Sequence, residues 1–188
     1  VDVWESDAKN FHYHDVGYTP TDGIRHTYQM YSLQKCFDIL DSPFGVLGTN
    51  VVLSVKLDGA AVALTYVNGS LQGALTRGDG IHGRDILDKM LHIAPNTIGL
   101  QGIVQVTGEI VAPETIENAR NYAAGALNLK NISEFMDREI LFYAHGLEDD
   151  GDYMGDVEYG DTWQTRMEFL KDQGFNTVHT HMTDGLPK

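Results

Sequence analysis

Residues 51–85 read VVLSVKLDGAAVALTYVNGSLQGALTRGDGIHGRD. Three short β-rich runs, 51–55, 61–67 and 71–76, are separated by turn-forming residues, and Asn68-Gly69 stands between the last two. Asn-Gly takes the positive φ values that a two-residue hairpin turn requires. The stretch therefore predicts an antiparallel meander, followed by a loop at Gly78-Asp79-Gly80.

Outward from this meander the period changes. Before it, Leu33, Cys36, Phe37 and Leu40 recur at helical spacing behind Ser32, a capping residue type, and Pro43 ends the segment, so 32–40 reads as a short amphipathic helix. The first thirty residues are polar and aromatic, with turn signals over 18–23, and read as irregular. After the meander, 84–93 has helical spacing up to Pro95, 102–111 reads as a strand, 114–127 as a helix and 139–147 as a strand. A helix over 162–173 is stopped by Gly174. Strands outnumber helices and interleave with them, which is α+β with a mainly antiparallel sheet.

The chain has 188 residues, 42% of them hydrophobic, and one domain is the expectation at that length. Thirteen Lys and Arg stand against 27 Asp and Glu, a formal net charge of −14, which disfavours unaided electrostatic binding to nucleic acid. Cys36 is the single cysteine, so no intrachain disulfide or cysteine-rich zinc site forms and a reducing compartment fits. No apolar run is long enough to span a membrane, and the polar start is no signal peptide. The acidic stretch 148–161 reads as a solvated loop, its spacing unlike an EF-hand. The pairs His12/His14, beside Asp15, and His179/His181 each lack a full metal-ligand set and read as surface histidines.

Chemistry concentrates at Lys56-Leu57-Asp58-Gly59, at the end of a strand expected to be buried. A lysine there, with a carboxylate two residues on and a glycine beside it, is an arrangement a plain core would not keep. A lysine snorkelling beside a turn is the alternative.

In register with this motif come the hairpin turn and Thr76-Arg77-Gly78-Asp79-Gly80. Three further segments appear in order: HTYQMYSLQKCF at 26–37, Thr107-Gly108-Glu109-Ile110, and NARNYAAGAL at 118–127. Together they resemble the adenylation domain of NAD-dependent DNA ligases over roughly residues 26–180, where Trp163 to Val178 is similar to the family's closing helix and Gly-Phe turn. The resemblance implies an ATP-grasp-like nucleotidyltransferase core of the DNA ligase and mRNA-capping type, filling 26–188 behind an irregular arm at 1–25.

It also implies a reaction: a lysyl-AMP intermediate formed on Lys56 from NAD, with release of nicotinamide mononucleotide, for sealing DNA nicks. An amine attacks only when uncharged, so burial or a nearby Mg²⁺ must favour the neutral form. A carboxylate touching the amine would do the reverse, and Asp58 is read as orienting Lys56 or a magnesium-bound water. By resemblance Arg77 binds ribose and phosphate oxygens, Glu109 accepts from ribose hydroxyls, and Arg120 meets a phosphate or the nicked end. His145, in Leu141-Phe142-Tyr143-Ala144-His145-Gly146, takes the place of the base-stacking aromatic, and Ser32 and Leu33 line the same pocket. As residues, Arg77, Glu109, Arg120 and His145 also read as a hairpin-end arginine, an outward strand acid, a helix-surface arginine and a core histidine. Ser32 and Leu33 read equally as a helix cap and a core leucine.

Ser54 stands where the family has a glutamate that meets the adenine amino group, and Asn128 where it has arginine. Counterparts of the family's N-terminal helical domain, of its C-terminal lysine-bearing strands and of its OB-fold, zinc and helix-hairpin-helix parts are not found. The expectation is a partial domain that meets nicked double-stranded DNA through segments outside this chain, in a bacterial or phage-encoded cytoplasmic enzyme with no membrane partner. The alternatives are a catalytically incomplete nucleotide-binding subunit completed by a second polypeptide, and an ATP-dependent RNA-ligase relative.

Overall fold

The computed structural model describes residues 23–33, 37, 51–149, 162–178 and 180–183. The hairpin at its centre is built as the sequence predicts: β3 (Ala60–Val67) and β4 (Ser70–Thr76) pair antiparallel across Asn68 and Gly69, which take φ of 49° and 80°. β6 (Ile103–Val111) pairs with the other edge of β3, and β7 (Leu141–Asp149) with β6, both antiparallel. The two-residue β8 (Asn176–Thr177) adds in parallel, giving the order β4-β3-β6-β7-β8. The described architecture is α+β with mainly antiparallel sheets.

The first strand of the expected meander does not join this sheet. β2 (Val51–Ser54) pairs instead with β9 (Thr180–Thr183), a strand not expected, in a separate two-stranded sheet. The reason is the five-residue passage 55–59, which carries the chain off β2 before β3 begins. A β-rich composition marks a strand without naming its partner.

Alternation along β3, β6 and β7 directs Val62, Leu64, Tyr66, Val106, Ile110 and Phe142 into one core, which Phe175 completes by edge-on contacts with Tyr66 and Phe142. α1 (Leu87–Met90) contributes Met90, α2 (Ala119–Leu127) contributes Ala123, Ala126 and Leu127, and α3 (Ile132–Met136) contributes Phe135. α1 and α2 are shorter than expected, and α2 begins at Ala119 because Asn118 has φ 59°, a left-handed residue that interrupts helical hydrogen bonding. α3, absent from the sequence reading, is capped by the Asn131 side chain accepting from the Ser133 N–H. α4 (Trp163–Asp172) runs as expected between its Thr162 cap and Gly174 at φ 91°.

The opposite face of β6 carries Gln105, Thr107 and Glu109, and the same face of β3 carries their partners Thr65, Ala63 and Ala61. A strap from residue 23 to 33 crosses this face. Part of the segment read as irregular is thereby ordered: β1 (Ile24–Arg25) pairs with β5 (His82–Gly83), and Thr27 Oγ1 lies 3.2 Å from Thr65 Oγ1. Apart from Ser32, Leu33 and Phe37, the helix expected over 32–40 lies outside the described residues, as do residues 1–22, 150–161 and the side chains of His179 and His181. Among the described residues no helix is long and apolar enough to cross a membrane.

Candidate functional site

Residues 55–59 lead from β2 into β3 and lie against β6. The Gly59 N–H donates to Glu109 Oε1 at 3.2 Å. Only glycine fits at this position, since a Cβ there would stand 2.0 Å from the Ile110 carbonyl oxygen. Glu109 is half-buried, and burial raises its pKa above the ordinary glutamate value. The Gly59 N–H and the charges of Lys56 and Arg120 act against that rise, while Asp58 adds to it. One carboxylate thus feels two cations and a second acid from two other segments of the chain. Lys56 itself is exposed and two residues past the end of β2, not at the end of a buried strand, because the chain has already turned away from the sheet.

Arg77 follows β4, where its N–H donates to the Ala61 carbonyl. Its Nη2 donates to Ser32 Oγ at 2.5 Å, and its carbonyl accepts from His26 Nε2–H at 3.0 Å. Asp79, two residues on, accepts from the N–H groups of Ile81 and His82 and so shapes the Gly-rich loop. Strap and loop are further joined by the His26 N–H to the Ile81 carbonyl and the Met30 N–H to the Gly80 carbonyl.

A cavity of about 430 Å³ opens between strap residues 29–31, Gln105 and Thr107 of β6, residues 145–148 of β7, and Trp163, Arg166 and Met167 of α4. Burial lowers the pKa of His145 below the ordinary imidazole value, so a neutral ring faces it. Glu109, Thr107 and Gln105 follow one another along one face of β6 at steps of about 6.7 Å, so the cavity and the Glu109 cluster adjoin.

Residues 21–185 match the family described as NAD-dependent DNA ligase adenylation domain. The chain belongs to that family. Similar proteins include the DNA ligase of Flavobacterium psychrophilum, 32% identical over 62% of this chain and 22% of the relative, and that of Shewanella denitrificans, 34% identical over 66% and 23%. The DNA ligase of Tropheryma whipplei is 35% identical over 50% of this chain and 18% of the relative. The chain spans about a fifth of the length of the curated relatives it matches.

In this adenylation domain the residues singled out by sequence fall into three groups. Lys56, Asp58, Glu109 and Arg120 form one, Ser32 and Arg77 a second, and His145 stands in the cavity as the third. Leu33 is 76% exposed and Ser54 is exposed, both outside the cavity's lining. Sequence reasoning missed Gln105, Thr107, Trp163 and Arg166. Nothing in their spacing signals the cavity, which exists only where β6, β7, the strap and α4 meet.

Proposed function

We propose that the chain is the adenylation unit of an NAD-dependent DNA ligase, with an ATP-grasp-like nucleotidyltransferase core over 26–188 behind an arm at 1–25. The Lys56 amine, having lost a proton, attacks the α-phosphorus on the AMP side of NAD. A P–N bond forms, the P–O bond to nicotinamide mononucleotide breaks, and that group leaves with the electron pair. AMP remains on Lys56 for later transfer to the 5′-phosphate of a DNA nick.

The observation that carries this reading is the Gly59 N–H to Glu109 bond, which joins the Lys-x-Asp-Gly loop to β6 beside Arg120. Glu109 accepts from the ribose hydroxyls through its remaining lone pairs. Thr107, one step along β6, and His145, beside it on β7, take the base. Lys56, Arg77 and Arg120 serve the phosphates, with the arginines offering planar donor forks.

Mg²⁺, an ion usually held by carboxylates and phosphates with several waters kept, would take its oxygen donors from the substrate phosphates, and Asp58 would orient Lys56 or a magnesium-bound water. Among the described residues no cluster of three or more His, Cys, Asp or Glu would hold a metal by itself. Bound there, the ion would neutralise charge on the phosphates.

A second reading, a nucleotide-binding unit that reacts only when a further polypeptide completes it, is favoured by the exposure of Lys56. Nicked duplex DNA is the final substrate in both, and the −14 net charge leaves its grip to segments outside this chain.

Intact-mass measurement after incubation with Mg²⁺ and either NAD or ATP tests the proposal. An AMP adduct with NAD alone, absent in Lys56→Ala, is expected. An adduct that needs an added lysine-bearing C-terminal fragment supports the second reading, and no adduct under any of these conditions overturns the catalytic assignment.

A further inference from the structure

β7 pairs with β8 at Tyr143 and Ala144, and beyond that point two side chains of α4 reach its backbone. The Trp163 indole N–H donates to the His145 carbonyl at 3.1 Å, and Arg166 Nη1 donates to the Leu147 carbonyl at 3.0 Å. These bonds fall on and just after an irregularity in the sheet. Thr107 of β6 faces Gly146 while Gly108 faces Ala144, so His145 is an extra residue without a partner in the ladder. Such a bulge re-aims the side chain of the residue it frees. Gly146 is tightly placed within it, since a Cβ would meet Thr107 Oγ1 at 2.2 Å. His145, Thr107, Trp163 and Arg166 all line one cavity.

From this geometry we infer that Trp163 and Arg166 are positioning residues, which fix the β7 bulge so that His145 presents its ring to the base of the bound nucleotide. The inference rests on the stacking role proposed for His145. A brace of this kind acts only on ligands that carry a base, and only through His145. A residue holding the fold in general would affect every ligand.

Titration calorimetry of the 188-residue chain with AMP and with ribose 5-phosphate separates the two. His145→Ala weakens AMP about tenfold, the ~1.4 kcal/mol of one decade, and leaves ribose 5-phosphate unchanged. Trp163→Phe keeps an aromatic ring but removes the donor, and weakens AMP about threefold without affecting ribose 5-phosphate. Added to His145→Ala it costs nothing further, because both act on one contact. Arg166→Met gives the same pattern and replaces Trp163→Phe if that variant does not fold, with folding read from retained ribose 5-phosphate binding. Unchanged AMP affinity in both variants, or losses that add to that of His145→Ala, overturns the brace and leaves the proposed function standing. Equal affinity of the wild-type chain for AMP and ribose 5-phosphate overturns the stacking role and the brace with it.

Discussion

The carboxamide of Gln105 holds the peptide groups of Tyr28 on both sides: the Tyr28 N–H donates to Oε1 and Nε2 donates to the Tyr28 carbonyl, each at 2.9 Å. Gln105 is 1% exposed, so these bonds form away from water, where an unmet amide is costly. One side chain thereby does for the strap what a neighbouring strand would do, and the strap roofs the cavity with Gln29, Met30 and Tyr31.

Gln105→Leu keeps the volume of the side chain but removes both partners from Tyr28. A loss of about 1–2 kcal/mol is expected, because Tyr28 is half-buried and both bonds go at once. Hydrogen exchange read by mass spectrometry should show strap peptides over 24–33 losing protection first, with β6 retaining its own. Equal loss in both would mean that Gln105 supports the sheet rather than the strap.

At Gly59 the neighbour in the way is backbone, the Ile110 carbonyl oxygen inside the sheet, and it has no room to yield. Gly59→Ala should destabilise the chain by about 3 kcal/mol, or push residues 55–59 off β6 and break the bond to Glu109. A thermal melt together with the NAD adduct assay checks this, and an unchanged variant in both would contradict the packing described.

Burial raises the Glu109 pKa, so the native state holds its proton more tightly than the unfolded state does. Stability from this group is complete below the unfolded glutamate value and falls as pH rises through the raised native value. Glu109→Gln retains an acceptor for the Gly59 N–H and removes the titration. Relative to wild type, the variant should gain stability in urea melts between about pH 4 and pH 7 while losing AMP affinity. A stability difference that does not vary with pH would contradict the assignment.

For His26 the sign is opposite. Burial lowers its pKa from 6.5, with the Arg77 carbonyl and Asp79 acting the other way and His82 acting with burial. Its contribution is present above the unfolded value and is lost as pH falls through the native one. Urea midpoints should therefore drop between about pH 7 and pH 5, and His26→Gln, which can still donate to Arg77, should flatten part of that slope. The remaining slope includes His145, whose pKa burial also lowers.

The hairpin across Asn68-Gly69, the strand β6 and the helix α4 with its stop at Gly174 were all legible, because each follows from local rules of turn chemistry, alternation and helix termination. The Lys-x-Asp-Gly and Thr-Gly-Glu motifs were legible too, and they meet at the Gly59–Glu109 bond. The helix over 114–127 was drawn too long since its start depends on the single backbone conformation of Asn118, which apolar spacing does not report.

The sequence by itself placed the chain in the adenylation family, because the Lys-x-Asp-Gly, Thr-Arg-Gly-Asp-Gly and Thr-Gly-Glu motifs stand in order along the chain. Tertiary structure alone decided that β2 pairs with β9 rather than β3, that Gln105 clamps a strap 77 residues earlier, and that α4 braces the bulge at His145. These are pairings between distant segments. They depend on which faces and edges the folded sheet leaves to be covered, and neither period nor composition along the chain encodes that.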